Sequence, residues 1–309
     1  MNALDLKHFI QKVGFDLGFS HIGIAPAQID HSLNNKLNYW LKNGYQASMK
    51  WIANRAEERT NIYKYFPEVK SVISLTVNYF TGTSTDHMNN YKISNYAWGD
   101  DYHKTVKVKA NTLLNQLKLV KPNIKGLVCV DTSPIMEKDW AQKAGIGWIG
   151  KHTNLITRDY GSWVFLCEIL IDTEIEYDKP FIEDLCGTCT ACLEACPTNA
   201  FPEPYILDAS KCISYLTIEH RGEFDNNIVD NLYNWIYGCD ICQNVCPWNI
   251  KFSQKSMTEE FQPRHEIIKK NRADWDLLTE NEFKTLFKDS AIKRTKYVGL
   301  IRNINHHNN

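Results

Sequence analysis

Cys186, Cys189, Cys192 and Cys196 stand in the run C-x-x-C-x-x-C-x-x-x-C-P, closed by Pro197. In bacterial ferredoxins this spacing bends the backbone around a cubane, and the cysteine before proline reaches a neighbouring cluster. A second run, Cys239-x-x-Cys242-x-x-x-Cys246-Pro247, has one member fewer. Two four-iron clusters need eight thiolates. The two runs supply seven, and the chain's other cysteines are Cys129, Cys167 and Cys212. Cys129 and Cys167 lie in apolar, strand-like stretches, where a thiol is usually buried and inert. Cys212 lies between the runs and is the expected eighth ligand. With the crossover applied, Cys186, Cys189, Cys192 and Cys246 hold cluster 1, and Cys196, Cys212, Cys239 and Cys242 hold cluster 2. Structural zinc also uses C-x-x-C pairs, but two proline-terminated runs weigh against it.

Eight of the ten cysteines follow residue 185. In an exported chain they would read as disulfides. The N-terminus does not suggest export, because Asp5 and Lys7 break any apolar run, unlike a signal or transit peptide. The longest uncharged apolar stretch, Ser71–Phe80, is about half a membrane span. A soluble, cytoplasmic monomer with no membrane contact is expected. The formal net charge of -1 carries no basic bias, which leaves room for a local patch that grips a folded RNA.

The segment before the cysteines reads as α/β. Leu6, Phe9, Ile10 and Val13 follow helical spacing, and Gly18 leads into a strand over His21–Ala25. Val69–Thr76, Gly126–Val130 and Ser162–Ile171 read as further strands, and Tyr102–Leu119 as a helix. Another helix is expected from Pro134, behind Ser133, to Gly145, following the preference for Pro at the start and Gly past the end. Asp131 and Thr132 then fall where strand gives way to helix. Such corners, beyond the carboxyl ends of strands, commonly bind ligands in α/β sheets. The expected architecture is α+β: an α/β domain over residues 1–178, a ferredoxin-like domain over 179–252, and a helical extension over 253–309. Thr279 and Glu282 form a capping box in that extension. From Lys251 to Asn309 there are 12 Lys and Arg against 8 Asp and Glu.

A simple electron carrier needs only the cysteine-rich segment. The domain ahead of it implies a second redox centre fed one electron at a time. A dinucleotide is not indicated. Gly145-Ile-Gly147-Trp-Ile-Gly150 spells G-x-G-x-x-G but follows a helix and precedes the strand-like Asn154–Thr157, the reverse of the Rossmann context.

The run Val130-Asp131-Thr132-Ser133-Pro134 through Gly145–Asn154 resembles the epoxyqueuosine reductases. So do Glu58-Arg59-Thr60, Asn78-Tyr79, Asp101-Tyr102-His103, Gly161-Ser162-Trp163 and Gly299–Asn303, so that the resemblance covers nearly the whole chain. It implies an oxidoreductase that removes the epoxide oxygen of epoxyqueuosine, at the wobble position of tRNA, as water. It further implies cobalamin between the first and the ferredoxin-like domain, two [4Fe-4S] clusters, and a low-potential donor such as a flavodoxin or ferredoxin. Asp131 matches the position assigned as proton donor. Burial against an apolar corrin face would raise its pKa and keep it protonated. Arg59, Tyr102, His103 and Lys151 match positions implied to contact corrinoid or substrate. Trp98, Thr132, Gly147, Trp148, Gly150, Thr153 and Asn154 complete the expected cobalamin set. No histidine ligand to cobalt is expected, because Asp101-Tyr-His103 continues as Lys104-Thr105-Val106 rather than the Asp-x-His-x-x-Gly of histidine-ligating carriers.

Each of these residues has a plainer use. Asp131 could cap the following helix. Trp98, Trp148 and Trp163 could be core aromatics, and Gly147 and Gly150 could serve turns. Lys293, Arg294, Lys296 and Arg302 could contact tRNA phosphates or form a solvated face. Many members of the family continue with helical repeats beyond the position of Asn303, whereas this sequence ends His306-His307-Asn308-Asn309. RNA contacts would then rest on the ferredoxin-like part and the basic end. Two other readings use the same cysteines: a reductive dehalogenase-like corrinoid enzyme acting on a small molecule, and a ferredoxin-type electron-transfer module.

Overall fold

The computed structural model describes residues 2–82, 90–224 and 232–308. The outermost positions of the expected first and last segments, Met1 and Asn309, lie outside them. The main sheet has four strands in the order β1-β2-β7-β4: β1 His21–Pro26, β2 Ser71–Asn78, β4 Gly126–Cys129 and β7 Val164–Ile171. Two short pairs complete the strands. β3 (Lys92–Ile93) pairs with β8 (Trp235–Tyr237), and β5 (Trp148–Ile149) pairs with β6 (Leu155–Ile156).

Every pairing in the main sheet is antiparallel. The expected α/β domain is thus built on an antiparallel sheet, a strand direction that the sequence reading left open. Pro26 pairs with Ser71, so residues 27–70 leave and re-enter at one end of the sheet. Ile62, from the short helix Ile62–Tyr65 in this stretch, packs with Val72 and Leu170 of the sheet. Asp131 still lies just beyond the carboxyl end of β4.

β2 is buried along its whole length, as expected for a strand covered on both faces. On one face Ile73, Leu75 and Val77 pack with Leu6 and Ile10 of the helix Ala3–Asp16 and with Val106, Leu113 and Leu117 of the helix Tyr102–Val120. On the other, Val72 and Leu170 pack with Trp140, Ala141 and Ala144 from in and just past the helix Glu137–Lys143. Alternation along β2 and β7 puts Ser74 and Glu168 on this second face. Cys129 is fully buried on this face and Cys167 on the first.

The helix after Asp131 begins at Glu137, not Pro134. Thr132 N–H donates to the Val130 carbonyl and Ile135 N–H to that of Ser133, so the backbone turns tightly before any helical hydrogen bond can form. Gly145 closes the helix as expected, at φ +79°.

The C-terminal residues are helical, including Glu280–Leu286, which carries the Thr279–Glu282 capping box. They enclose a hydrophobic cluster of Trp275, Phe287, Ile292 and Leu300 that also takes in Tyr91, Ile93 and Trp98 from the first half of the chain. Among the described residues no helix is long and apolar enough to cross a membrane.

Candidate functional site: an acid corner beside the cluster cysteines

Asp131 leaves β4 with φ +52°, a region uncommon for residues other than glycine but within reach of Asp. Its own contacts hold it there. Its backbone N–H donates to Glu137 Oε1 at 2.6 Å, and its Oδ2 lies 2.8 Å from His103 Nε2. The other ring nitrogen, Nδ1, is 2.7 Å from Asp101 Oδ1. That oxygen also accepts from His103 N–H, capping the helix Tyr102–Val120. Asp101 Oδ2 pairs with Lys293 Nζ at 2.9 Å. Tyr102 stacks on Phe165 and on His103, with ring centroids 4.2 and 4.1 Å apart. The result is a fixed line, Lys293–Asp101–His103–Asp131, that engages both imidazole nitrogens.

The charges along this line follow from it. Burial disfavours ionised Asp101, but His103 and Lys293 overcome this and hold its carboxyl well below the usual range. Burial alone would lower the His103 pKa, yet Asp101 and Asp131 together push it up to about 9. Burial acts upward on Asp131, but its bond to His103 and the imidazolium charge keep it below its ordinary value. In this arrangement the proton at neutral pH resides on His103, where the resemblance implied a protonated Asp131 against a corrin face. Glu137 differs. Burial first, then the Asp131 charge, pushes its pKa up to about 8.

The expected cluster-1 cysteines, Cys186, Cys189, Cys192 and Cys246, line one cavity of about 160 Å3 together with Lys151, His152 and Trp248. Lys151 Nζ donates to the carbonyls of Gly187 and Cys189 at 2.6 and 3.0 Å, which ties its ammonium to the cysteine loop. Cys212 and Cys239 pack together with Ala47, Met49 and Ile213. Cys242 lies within electrostatic range of Cys212 and Cys196, and Cys239 within range of Cys242 and Cys212. Cys186, Cys189, Cys192 and Cys246 thus stand together, and Cys212, Cys239 and Cys242 form a second group with Cys192 and Cys196 within its electrostatic range.

Lys138 links this second group to the acid corner. Its Nζ donates to Thr153 O at 2.9 Å and Asn154 Oδ1 at 3.2 Å, and the charges of Glu137, Asp139, Cys242 and Asp131 all act on it. Thr153 takes φ +66° there. Arg59 also faces the corner: the charges of Asp131 and Glu137 act on its guanidinium, which lies 5.5 Å from the centre of the Trp51 ring. Its Nε is buried without a partner.

The other expected residues fall elsewhere. Trp98 is a core side chain, its Nε1 donating to Ile93 O at 2.7 Å. Trp148 is buried against Trp248 and Phe181. A Cβ on Gly147 would lie 2.1 Å from Ile156 O, and one on Gly150 would lie 2.5 Å from Ile156 Cδ1. The β5–β6 hairpin therefore explains both glycines. Thr132 is exposed. Lys293, Arg294 and Lys296 are exposed, though Lys293 serves Asp101 and Arg294 pairs with Glu219 through both Nε and Nη2. Arg302 donates to the carbonyls of Leu216, His220 and Gly222, and twice to Asn303 Oδ1. That uses all five donors of a guanidinium and leaves none for a phosphate. Glu137, Lys138 and His152 were not expected from the sequence, because their proximity depends on the turn after β4 and on the β5–β6 hairpin.

A family model described as "4Fe-4S double cluster binding domain" matches residues 185–249, and one described as "Epoxyqueuosine reductase QueG, DUF1730" matches residues 59–132. The chain is 44% identical over 300 residues to the epoxyqueuosine reductase of Leadbetterella byssophila, covering 97% of each. With that of Escherichia coli it shares 37% over 310 residues, covering 97% of this chain and 81% of the other. Among solved structures, an epoxyqueuosine reductase with an epoxyqueuosine-modified tRNA-Tyr stem loop matches with a TM-score of 0.89 at 30% identity, covering 99% of this chain and 81% of that one. A Bacillus subtilis epoxyqueuosine reductase, solved with its aspartate catalytic loop swung out of the active site, matches with a TM-score of 0.88 at 28% identity, covering 99% and 81%. With the cluster cysteines grouped and the acid corner beside them, this chain belongs to the epoxyqueuosine reductase family.

Proposed function

We propose that this chain reduces epoxyqueuosine to queuosine in tRNA, with Asp131 as the group that faces the epoxide oxygen. Loss of that oxygen as water takes two electrons and two protons. The reading is carried by the line Asp101–His103–Asp131, which ends on a carboxylate whose side chain is 52% exposed and neighbours Cys242 through Lys138. His103 is protonated at neutral pH, and its Nε2, 2.8 Å from Asp131 Oδ2, can pass its proton through Asp131 to the departing oxygen. Asp101 keeps the ring oriented and the proton in place. Glu137 holds the Asp131 backbone.

The cofactor we infer beside this corner is cobalamin. When bound, it supplies low-valent cobalt able to attack or reduce the epoxide. The residues present fit such a group. Gln46 Oε1 and Arg59 Nε are buried without partners, an acceptor and a donor suited to a corrin's amide-bearing rim. Both lie on the segment that runs from Gln46, next to Ala47 and Met49 packed beside Cys212 and Cys239, to Arg59 at the acid corner. Lys293 and Arg294, exposed next to that corner, and the exposed Lys296 are our candidates for tRNA phosphate contacts. A cytoplasmic site of action and a low-potential flavodoxin or ferredoxin as donor complete the reading.

The test is anaerobic turnover of the reconstituted protein with cobalamin, a low-potential reductant and epoxyqueuosine-bearing tRNA, followed by mass analysis of the nucleosides. Conversion to queuosine with loss of one oxygen is expected. A fully loaded protein that leaves the epoxide intact would overturn the assignment.

A further inference from the structure

His152 has one nitrogen engaged and one free, and the engaged one fixes the tautomer. The backbone N–H of Asn154 donates to His152 Nδ1 at 3.2 Å. An amide can only donate, so Nδ1 carries the lone pair and Nε2 carries the hydrogen. That Nε2 is buried without a hydrogen-bond partner, on a side chain only 3% exposed. The Asn154 N–H bond to Nδ1 holds the ring in this orientation. Leaving a buried donor unmade costs about 1–3 kcal/mol, so natural structures rarely keep one without a use. His152 lines the same cavity as Cys186, Cys189, Cys192 and Cys246.

We propose that His152 Nε2–H is a hydrogen-bond donor to a sulfur of cluster 1 and raises that cluster's reduction potential. The proposal rests on the reading that these cysteines hold a [4Fe-4S] cluster. Reduction adds one negative charge, spread largely over sulfur. A fixed N–H dipole in a dry cavity stabilises the reduced form more than the oxidised one. Hydrogen bonds to cluster sulfurs are among the levers by which proteins set such potentials. The location suits the role. Cys189 is exposed, so the cluster-1 cavity lies open to an external donor, whereas Cys242 of cluster 2 neighbours the acid corner. A raised potential on the outer cluster favours its uptake of electrons from the donor.

The test is a potentiometric titration of the holoprotein followed by EPR, comparing wild type with His152→Leu and His152→Gln. In His152→Leu one of the two cluster midpoints should fall. The ratio of reduced to oxidised form at fixed potential should drop about tenfold, or about 59 mV for a one-electron couple. The other midpoint should hold, and His152→Gln, which keeps an N–H at similar reach, should restore most of the shift. Pulsed EPR on wild type with 15N-labelled histidine gives a check that needs no variant: one reduced cluster should couple to one imidazole nitrogen. Two loaded clusters with unmoved midpoints, or no such coupling, would overturn the donor role alone. Wild-type protein that assembles no iron–sulfur cluster under reconstitution would instead overturn the cluster reading beneath it.

Discussion

His103 Nε2 lies 2.8 Å from Asp131 Oδ2, and this contact decides where the proton of the acid corner is kept. A lone carboxylic acid could hold a proton at neutral pH only through burial, yet the Asp131 side chain is 52% exposed. Pairing it with an imidazolium, itself braced by Asp101, stores the proton one bond away from the reacting position.

Replacing His103 with Ala should lower turnover by about 100-fold, the usual scale for loss of a positioned proton donor, while both clusters remain loaded. Its stability effect should depend on pH. The folded His103 pKa is raised from 6.5 to about 9, so its contribution is complete below about pH 6.5 and is lost as pH rises through about 9. The Asp131 pKa is lowered, so its share is present above the ordinary carboxylate range and is lost only as acid protonates it. Because the pair is partly solvated, the wild type should exceed His103→Ala by about 1 kcal/mol near pH 7. Denaturation midpoints should show that gap closing by about pH 10; a gap that widens with pH contradicts the pairing.

Cys212→Ser should remove one cluster and spare the other. Cys212 packs with Cys239 and acts on Cys242, whereas Cys129 and Cys167 are fully buried in the sheet core. Iron per chain should fall from about eight to about four in Cys212→Ser and stay unchanged in Cys129→Ser and Cys167→Ser. Iron analysis with EPR of the reduced proteins separates these outcomes.

The double-cluster character of residues 185–249 was legible in the sequence because ligand spacing within a cluster loop is a local property. Helices and strands were legible for a similar reason: Tyr102–Val120 and β2 carry strong periodic or continuous apolar patterns. The antiparallel sheet was not, since strand direction depends on where residues 27–70 re-enter, and periodicity does not encode that. The start of the helix after Asp131 was misplaced because Pro134 is as compatible with a tight turn as with a first helical position. Asp131 was legible from its place where strand gives way to helix and from its resemblance to a family position, but its charge state depends on His103, 28 residues away. Glu137 and His152 owe their places to the β4 turn and the β5–β6 hairpin, and Arg302 resembles a surface cation until its five donors are followed to their acceptors.

Gly161→Ala should loosen the joint between the sheet and the cysteine-rich part. Gly161 takes φ +60°, and a Cβ there would stand 2.0 Å from Asn249 Oδ1. That oxygen accepts from Ser162 N–H at 2.6 Å, while Asn249 Nδ2 donates to Ser162 Oγ and Gln243 O. Backbone strain and the clash should each cost on the order of 1–3 kcal/mol. Chemical denaturation of the loaded protein should show a loss of that size, with faster release of iron. Asn249→Ala, which removes the hydrogen bonds without adding strain, should cost less and leave Gly161 free of the clash.

Glu137 gives the most discriminating pH test. Its Oε1 accepts from the Asp131 N–H at 2.6 Å, holding Asp131 at φ +52°, and Asp131, Lys138 and His103 face it, with Glu168 close on the same side of the sheet. Burial raises its pKa from 4.5 to about 8, so near pH 7 it is mainly a neutral acid whose carbonyl oxygen does the holding. Glu137→Gln keeps that oxygen and should keep turnover within about threefold at pH 7, a change of well under 1 kcal/mol. Glu137→Ala leaves the Asp131 N–H without its acceptor, frees the turn, and should lower turnover tenfold or more, about 1.4 kcal/mol of barrier. The stability contrast has a definite sign. A raised folded pKa means that stability present below about pH 4.5 is lost as pH rises through about 8, because the unfolded chain ionises first. Gln does not ionise, so Glu137→Gln should gain on wild type steadily from pH 5 to 8 and level off beyond it. A melting-temperature difference that stays flat across this range would mean that Glu137 is already ionised in the fold.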